Sequence, residues 1–104
     1  MNNWDNMSHE TRELTLYALN TREPYERYIV PTVANLTKKA KKGTYIRDLA
    51  LKQWKRVADA MAKAYAKDYD HERNWNRIFS VQNRKDAAEF FEYSYDKDEL
   101  IRNF

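Results

Sequence analysis

The sequence predicts an all-α fold in which about four helices form one compact domain over residues 1–104. It contains one glycine and two prolines, and because β folds need turn residues at each hairpin, this scarcity favours helices joined by short polar loops. Apolar residues also recur at helical spacing in several long stretches. Three tryptophans, eight tyrosines and four phenylalanines supply large apolar side chains that can close one small core.

The first two helices are predicted from their end signals and apolar stripes. Ser8 is a suitable N-cap for a helix that runs to Asn20. A second helix begins near Pro24 and ends before Gly43, the kind of residue that terminates helices. Its apolar stripe consists of Ile29, Val33, Leu36 and Ala40. Pro31 interrupts this stripe, which predicts a kink or a break into two shorter helices.

The third predicted helix is the longest, from a cap at Thr44 or Asp48 to about Tyr69. At about 100° per residue, its apolar and charged side chains separate into two arcs. The apolar arc consists of Ile46, Ala50, Trp54, Val57, Ala58, Met61, Tyr65 and Tyr69. The charged arc consists of Asp48, Lys52, Lys55, Arg56, Asp59, Lys63 and Lys67. This separation is typical of a helix with one face in the core and one face in water.

The remaining chain predicts a loop, a fourth helix and a tail. Residues 70–79 form a loop with a short turn, Ser80 caps a helix that ends near Tyr95, and residues 96–104 add a short helical tail. The apolar stripe of this fourth helix consists of Ala87, Ala88, Phe91 and Tyr95. Arg84 lies at its centre, either as a functional contact or, as we expect, with its stem on apolar surface and its charge in water.

Charge is unevenly distributed along the chain, although the formal net charge is only +3. Residues 37–67 contain ten lysines and arginines against two aspartates. The candidate binding residues are the cations at the end of the second predicted helix and on the charged arc of the third. They are Lys38, Lys39, Lys41, Lys42, Lys52, Lys55, Arg56, Lys63 and Lys67. They form either a positive surface for an anionic partner or a solvated face whose lysines near Gly43 stabilise a helix C-terminus.

Aromatic and acidic side chains supply two further candidate surfaces. Trp54, Tyr65 and Tyr69 belong to the apolar arc and are expected in the core. The aromatics that fit the stripes less well are candidates for an exposed contact surface: Tyr25, Tyr28, Trp75, Phe90 and Tyr93. Four acidic residues of the fourth helix and its end are expected in solvent: Asp86, Glu89, Glu92 and Asp96. They also suggest a homodimer in which this acidic face meets the basic face of a second copy.

The sequence provides little for catalysis, metal binding or a cofactor. The absence of cysteine excludes disulfides and thiolate chemistry, and a single glycine excludes a glycine-rich phosphate loop. His9 and His71 each lie near carboxylates, but neither has the spacing of a metal site. We therefore expect no catalytic residues, no metal, no cofactor and no enzymatic activity.

The chain also lacks signals for export or membrane insertion. Residues 1–5 do not show the basic-then-apolar order of a signal peptide, and no apolar run approaches the ~20 residues that span a bilayer. We expect no membrane association and a cytoplasmic location.

A distinctive pattern of residues runs from the second predicted helix to the fourth: Asn35-Leu36-Thr37-Lys38-Lys39, Lys42-Gly43-Thr44-Tyr45, Ala50, Trp54, Ala62-Lys63-Ala64-Tyr65, Phe79, Arg84-Lys85, Ala87-Ala88 and Phe90. The chain thereby resembles a group of short, uncharacterised helical proteins encoded by bacteriophages and other mobile elements, and this is a resemblance in sequence pattern. It covers roughly residues 31–95 and transfers no functional residue. It implies a context in which small accessory proteins bind and block host machinery, including defence nucleases.

Three functions follow as expectations. The first is a non-enzymatic phage or mobile-element protein that binds and occludes a host protein or nucleoprotein complex, such as a defence system. The second is direct nucleic-acid binding through the basic face of the second and third helices. The third is a self-associating structural protein.

Overall fold

The computed structural model describes residues 6–69 and 74–104, which fold into helices joined by short connections. The elements are α1 (His9–Asn20), α2 (Arg22–Pro24), a π-helical turn (Tyr25–Ile29), α3 (Val30–Lys41), α4 (Arg47–Asp68), α5 (Trp75–Ile78), α6 (Val81–Ser94) and α7 (Lys97–Asn103). Because α2, the π turn and α3 form one continuous segment, these residues contain six separate helices. The all-α class is confirmed, whereas the expected count of four helices is wrong. The difference comes from the two short helices: α7 lies in the predicted helical tail of residues 96–104, and α5 is a four-residue helix within the predicted loop of residues 70–79.

The helical backbone continues through Pro31, and the disturbance near it is a change in hydrogen-bond register. Val30 donates its backbone N–H to the carbonyl of Tyr25, five residues back, instead of four. Pro31 has no N–H and occupies the first turn of α3, where the wider turn accommodates its ring. The turn also places Pro24 and Ile29, five residues apart, in the core together. The segment begins at Arg22, two residues before the predicted start.

The end of α3 is a Schellman motif centred on Gly43. The Gly43 N–H bonds to the Ala40 carbonyl at 3.2 Å, and the Thr44 N–H bonds to the Lys39 carbonyl at 2.8 Å. Gly43 has a φ of 76°, which a residue with a side chain rarely adopts. Thr44 is thus committed to closing α3, so it does not cap α4. The N-cap of α4 is Ile46, which makes no side-chain capping bond, and the predicted caps at Thr44 and Asp48 are wrong.

The predicted caps at Ser8 and Ser80 are both present, and they meet. Ser8 accepts a bond from the Thr11 N–H, and Ser80 forms a capping box with Asn83. The Asn83 amide also donates to Ser8 Oγ at 3.2 Å and to Thr11 Oγ1 at 3.3 Å. These bonds join the N-terminal ends of α1 and α6 across the chain.

The core lies along the buried arc of α4, against α1, α3 and α6. The middle of the predicted apolar arc is buried: Ala50, Trp54, Val57, Ala58 and Met61. The two ends of the predicted arc, Ile46 and Tyr69, are more than half exposed because they lie just outside α4. Helix α1 contacts both α4 and α6, while Leu16 on its surface remains 44% exposed.

Two charged side chains that were expected in solvent are buried. Arg84 is 6% exposed and donates to Asp59 Oδ1 at 2.7 Å and to the Phe79 carbonyl at 2.6 Å. Glu92 accepts bonds from Tyr45 Oη and Arg47 Nε, each at 3.1 Å. Both buried charges therefore have partners, which satisfies the requirement for burying an ionised group.

Candidate functional site

The outward face of α4 carries five of the nine candidate cations. Relative to Lys52, the others follow at three, four, eleven and fifteen residues, which places them within one arc of the helix: Lys55, Arg56, Lys63 and Lys67. With a rise of about 1.5 Å per residue, this arc is roughly 22 Å long. Asp59 lies within the same arc, where its carboxylate is held by Arg84.

Three of the four candidate lysines of α3 lie on the side that faces this arc. Asn35 Oδ1 accepts a bond from Gln53 of α4 at 3.2 Å, which fixes the side of α3 next to α4. Lys38, Lys39 and Lys42 follow Asn35 by three, four and seven residues, so they share its face. We call Lys38, Lys39 and Lys42 together with the five cations of α4 the basic surface.

Lys41 does not belong to the basic surface. Its Nζ donates to the main-chain carbonyl of Phe104 at 2.9 Å, on the side of α3 that packs against α7. The nine candidates therefore form a surface of eight residues and one lysine that contacts a different part of the protein.

Six cations of the basic surface make no side-chain hydrogen bond or ion pair with residues 6–69 and 74–104: Lys38, Lys39, Lys42, Lys52, Arg56 and Lys67. The other two have weak partners. Lys55 lies 3.8 Å from Asp59, and Lys63 Nζ lies 5.0 Å from the centre of the Trp75 ring. Most of this positive charge is thus available to a partner molecule.

A groove of about 630 Å³ runs between α4 and the π turn, and we call it the first groove. Arg56, Lys63 and Lys67 line one side, and Arg27 and Tyr28 line the other. The Arg27 guanidinium carbon lies 5.5 Å from the centre of the Tyr28 ring. Arg27 was not among the predicted site residues, because it is far from the lysine-rich stretch in sequence and only the packing of the π turn on α4 brings it there.

The carboxylates of the first groove are each occupied within the protein. Glu23 lies 3.5 Å from Arg27, and Asp68 accepts a hydrogen bond of 2.5 Å from Tyr17 Oη. Burial of Tyr17, reinforced by this bond to Asp68, raises the pKa of the phenol well above its usual value. The Tyr17–Asp68 bond joins α1 to α4 at the groove, while Arg56 and Lys67 remain unpaired among the described residues.

A second groove lies between α4 and α6, on the other side of the basic surface. Its volume is about 370 Å³, and Lys52 and Lys55 line it together with Lys85 of α6. Lys85 was also missing from the predicted site. The sequence signal for it is weak, since it is an isolated lysine on a helix with several acidic residues.

The expected exposed aromatic surface is largely absent. Tyr25, Tyr28, Trp75 and Phe90 are partly buried against the core, and only Tyr93 of the five is more than half exposed. Trp75 lies against two cations, with the Arg84 guanidinium carbon 4.7 Å and the Lys63 ammonium 5.0 Å from its ring centre. Its role is therefore to hold α5 against α4 and α6.

The acidic face of α6 is smaller than expected, because Glu92 is buried. Asp86, Glu89 and Asp96 are partly exposed. His9 lies on the surface of α1, 4.0 Å from Glu13, while His71 lies outside the described residues. Within the ranges that the structure covers, no three histidine or carboxylate side chains are grouped as a metal site would require.

No helix in the described part of the chain is long and apolar enough to cross a bilayer. Comparison with protein-family models, curated proteins and solved structures found no match for this chain.

Proposed function

We propose that this chain is a non-enzymatic binding protein of a phage or mobile element that docks its basic surface onto a host protein or nucleoprotein complex and occludes it. The observation that carries this proposal is the set of unpaired cations on adjoining faces of α3 and α4. Unpaired cations of one sign on adjoining faces repel one another where they lie within about 10 Å, and this repulsion costs stability. An acidic surface of a partner would remove that cost and would orient the approach of the two molecules.

The polar groups near the basic surface favour binding over catalysis. The carboxylates that an acid–base mechanism would use are engaged: Asp59 by Arg84, Asp68 by Tyr17 and Glu23 by Arg27. The first two bonds each join side chains from different helices, whereas the third links positions four residues apart in one helical segment. General acid–base catalysis by one of these three carboxylates would require it to be free to exchange a proton with a substrate.

The first experiment is affinity capture from bacterial lysate with tagged protein, with and without nuclease. We expect a discrete host protein that survives nuclease treatment. The matched variants are Lys38→Glu with Lys42→Glu on the basic surface, and Lys97→Glu with Arg102→Glu on α7, which change the net charge equally. The first pair should weaken capture by about tenfold or more, and the second pair should leave it unchanged. Equal capture by both pairs would show that the basic surface is not the interface.

Direct nucleic-acid binding is the second candidate, and the first groove favours it. There the partly buried Tyr28 ring, with Arg27 over it, lies across the groove from Arg56, an arrangement that places aromatic surface next to positive charge. Binding of a labelled single-stranded oligonucleotide should then fall steeply with salt, with a slope set by the number of phosphates contacted. Capture that disappears with nuclease, together with such a slope, would make this candidate the leading one.

A further inference from the structure

The second groove has an apolar floor. Leu51 of α4 and Val81 and Ala88 of α6 form it. Val81 is 62% exposed although it is the first residue of α6, a position where water-exposed helices commonly carry polar residues. The floor therefore presents mainly the side chains of Val81 and Leu51 to whatever enters the groove, since Ala88 is only 3% exposed.

The rim of this groove is positively charged. Lys52 and Lys85 have no ion pair with the residues that the structure describes. Lys55 lies 3.8 Å from Asp59, whose carboxylate is bound more closely by Arg84, at 2.7 Å. Glu89 is the one carboxylate among the lining residues, and it already interacts within the protein. Three lysines thus surround an apolar floor with little opposing charge.

This combination of floor and rim discriminates between kinds of partner. A nucleic-acid strand binds through phosphates and through bases stacked on aromatic rings, and the floor contains no aromatic side chain. An amphipathic helix presents apolar side chains at intervals of three and four residues, flanked by polar ones. If the flanking residues of such a helix are acidic, they can pair with the three lysines of the rim while its apolar side chains contact the floor of the groove.

We infer that the second groove binds an acidic amphipathic helix of the partner protein, with its apolar side chains on Leu51, Val81 and Ala88 and its carboxylates on Lys52, Lys55 and Lys85. This inference rests on the proposed function, because it names the element that the basic surface recognises. It adds an apolar contact to an interface otherwise defined by charge, and a few well-buried contacts commonly dominate the binding energy of an interface.

The test uses a synthetic, fluorescein-labelled amphipathic peptide, with leucines at helical spacing flanked by glutamates, and a scrambled peptide of the same composition. The key variant is Val81→Glu, which places a negative charge on the floor and is compatible with folding because acidic residues suit the first turn of a helix. Its control is Leu16→Glu, the same kind of change at an exposed position of α1. Fluorescence anisotropy measures binding, and circular dichroism checks that both variants fold.

We expect saturable binding of the amphipathic peptide, with about tenfold weaker binding to Val81→Glu and unchanged binding to Leu16→Glu. The scrambled peptide should bind more weakly to the wild-type protein. Equal binding of the two peptides, absence of saturable binding, or no effect of Val81→Glu would overturn the inference. If Lys38→Glu with Lys42→Glu nevertheless weakened capture from lysate as proposed above, the proposed function would stand without the groove. Light scattering that shows a dimer dissociated by Val81→Glu would assign the groove to a second copy and would also overturn the inference.

Discussion

Replacing Arg84 by methionine removes its three polar interactions and keeps most of its aliphatic stem. The Asp59 carboxylate loses a bond of 2.7 Å, but it is 33% exposed, so water and Lys55 can compensate. The Phe79 carbonyl loses a bond of 2.6 Å in a buried setting, where no described side chain replaces the guanidinium. The ring of Trp75 loses the cation that covers it at 4.7 Å.

The magnitude follows mainly from the Phe79 carbonyl. A hydrogen bond from a charged donor to a buried acceptor contributes about 1.5–3 kcal/mol. The ion pair with the partly exposed Asp59 adds at most about 1 kcal/mol after screening by water. The cation–π contact contributes about 0.5–1 kcal/mol. Because these terms share one guanidinium and do not add fully, we expect Arg84→Met to lower the free energy of unfolding by about 2–4 kcal/mol, or the Tm by roughly 10–25 °C.

Urea unfolding followed by far-ultraviolet circular dichroism measures this loss directly. The matched control is Arg56→Met, the same substitution at an exposed arginine of the basic surface, which should change stability by less than about 0.5 kcal/mol. A loss for Arg84→Met no larger than that of the control would refute the reasoning. It would mean that the free-energy cost of removing the guanidinium from water equals the stabilisation from its hydrogen bonds in the folded protein.

Three further predictions concern single positions. Gly43→Ala should cost about 1 kcal/mol, measured by thermal unfolding, because the residue at φ 76° closes α3 in a conformation unfavourable for alanine; an unchanged Tm would contradict this. Ser80→Ala should cost about 1 kcal/mol through loss of the α6 capping box, and Ser80→Asp should restore most of it. Burial and Asp68 raise the pKa of Tyr17, so the unfolded chain releases this proton near pH 10 while the folded chain retains it. Stability should therefore be constant in this respect below about pH 10 and fall above it, by up to about 1.4 kcal/mol per pH unit, with a shallower fall in Tyr17→Phe as the check.

The main helices could be predicted because their signals are local. Ser8 and Ser80 mark helix starts through bonds that span three residues, and the buried stripe of α4 repeats within one helix. Arg84 and Glu92 could not be placed correctly, because their partners come from other elements. Glu92, for example, bonds to side chains 45 and 47 residues earlier in the chain. Periodicity reports which side of a helix is apolar, but not which polar group on a neighbouring helix makes burial of a charge tolerable.

The candidate site was predictable in composition but not in shape. The lysines of residues 37–67 are evident from the sequence, and most of them do lie on one surface. Lys41 could not be separated from its neighbours, since its contact is the distant Phe104 carbonyl. Arg27 and Lys85 were missed because each enters a groove only through the packing of its element on α4.

The π turn acts as a single-residue insertion that sets the rotational phase between the N-terminal third of the protein and α3. Deleting one residue from Tyr25–Ile29 would restore regular α-helical hydrogen bonding and rotate everything upstream by about 100° relative to α3. Pro24 would then leave the core, and the wall of the first groove formed by Arg27 and Tyr28 would turn away from α4. The length of this turn, more than the identity of any one side chain in it, is therefore what keeps the first groove closed on two sides.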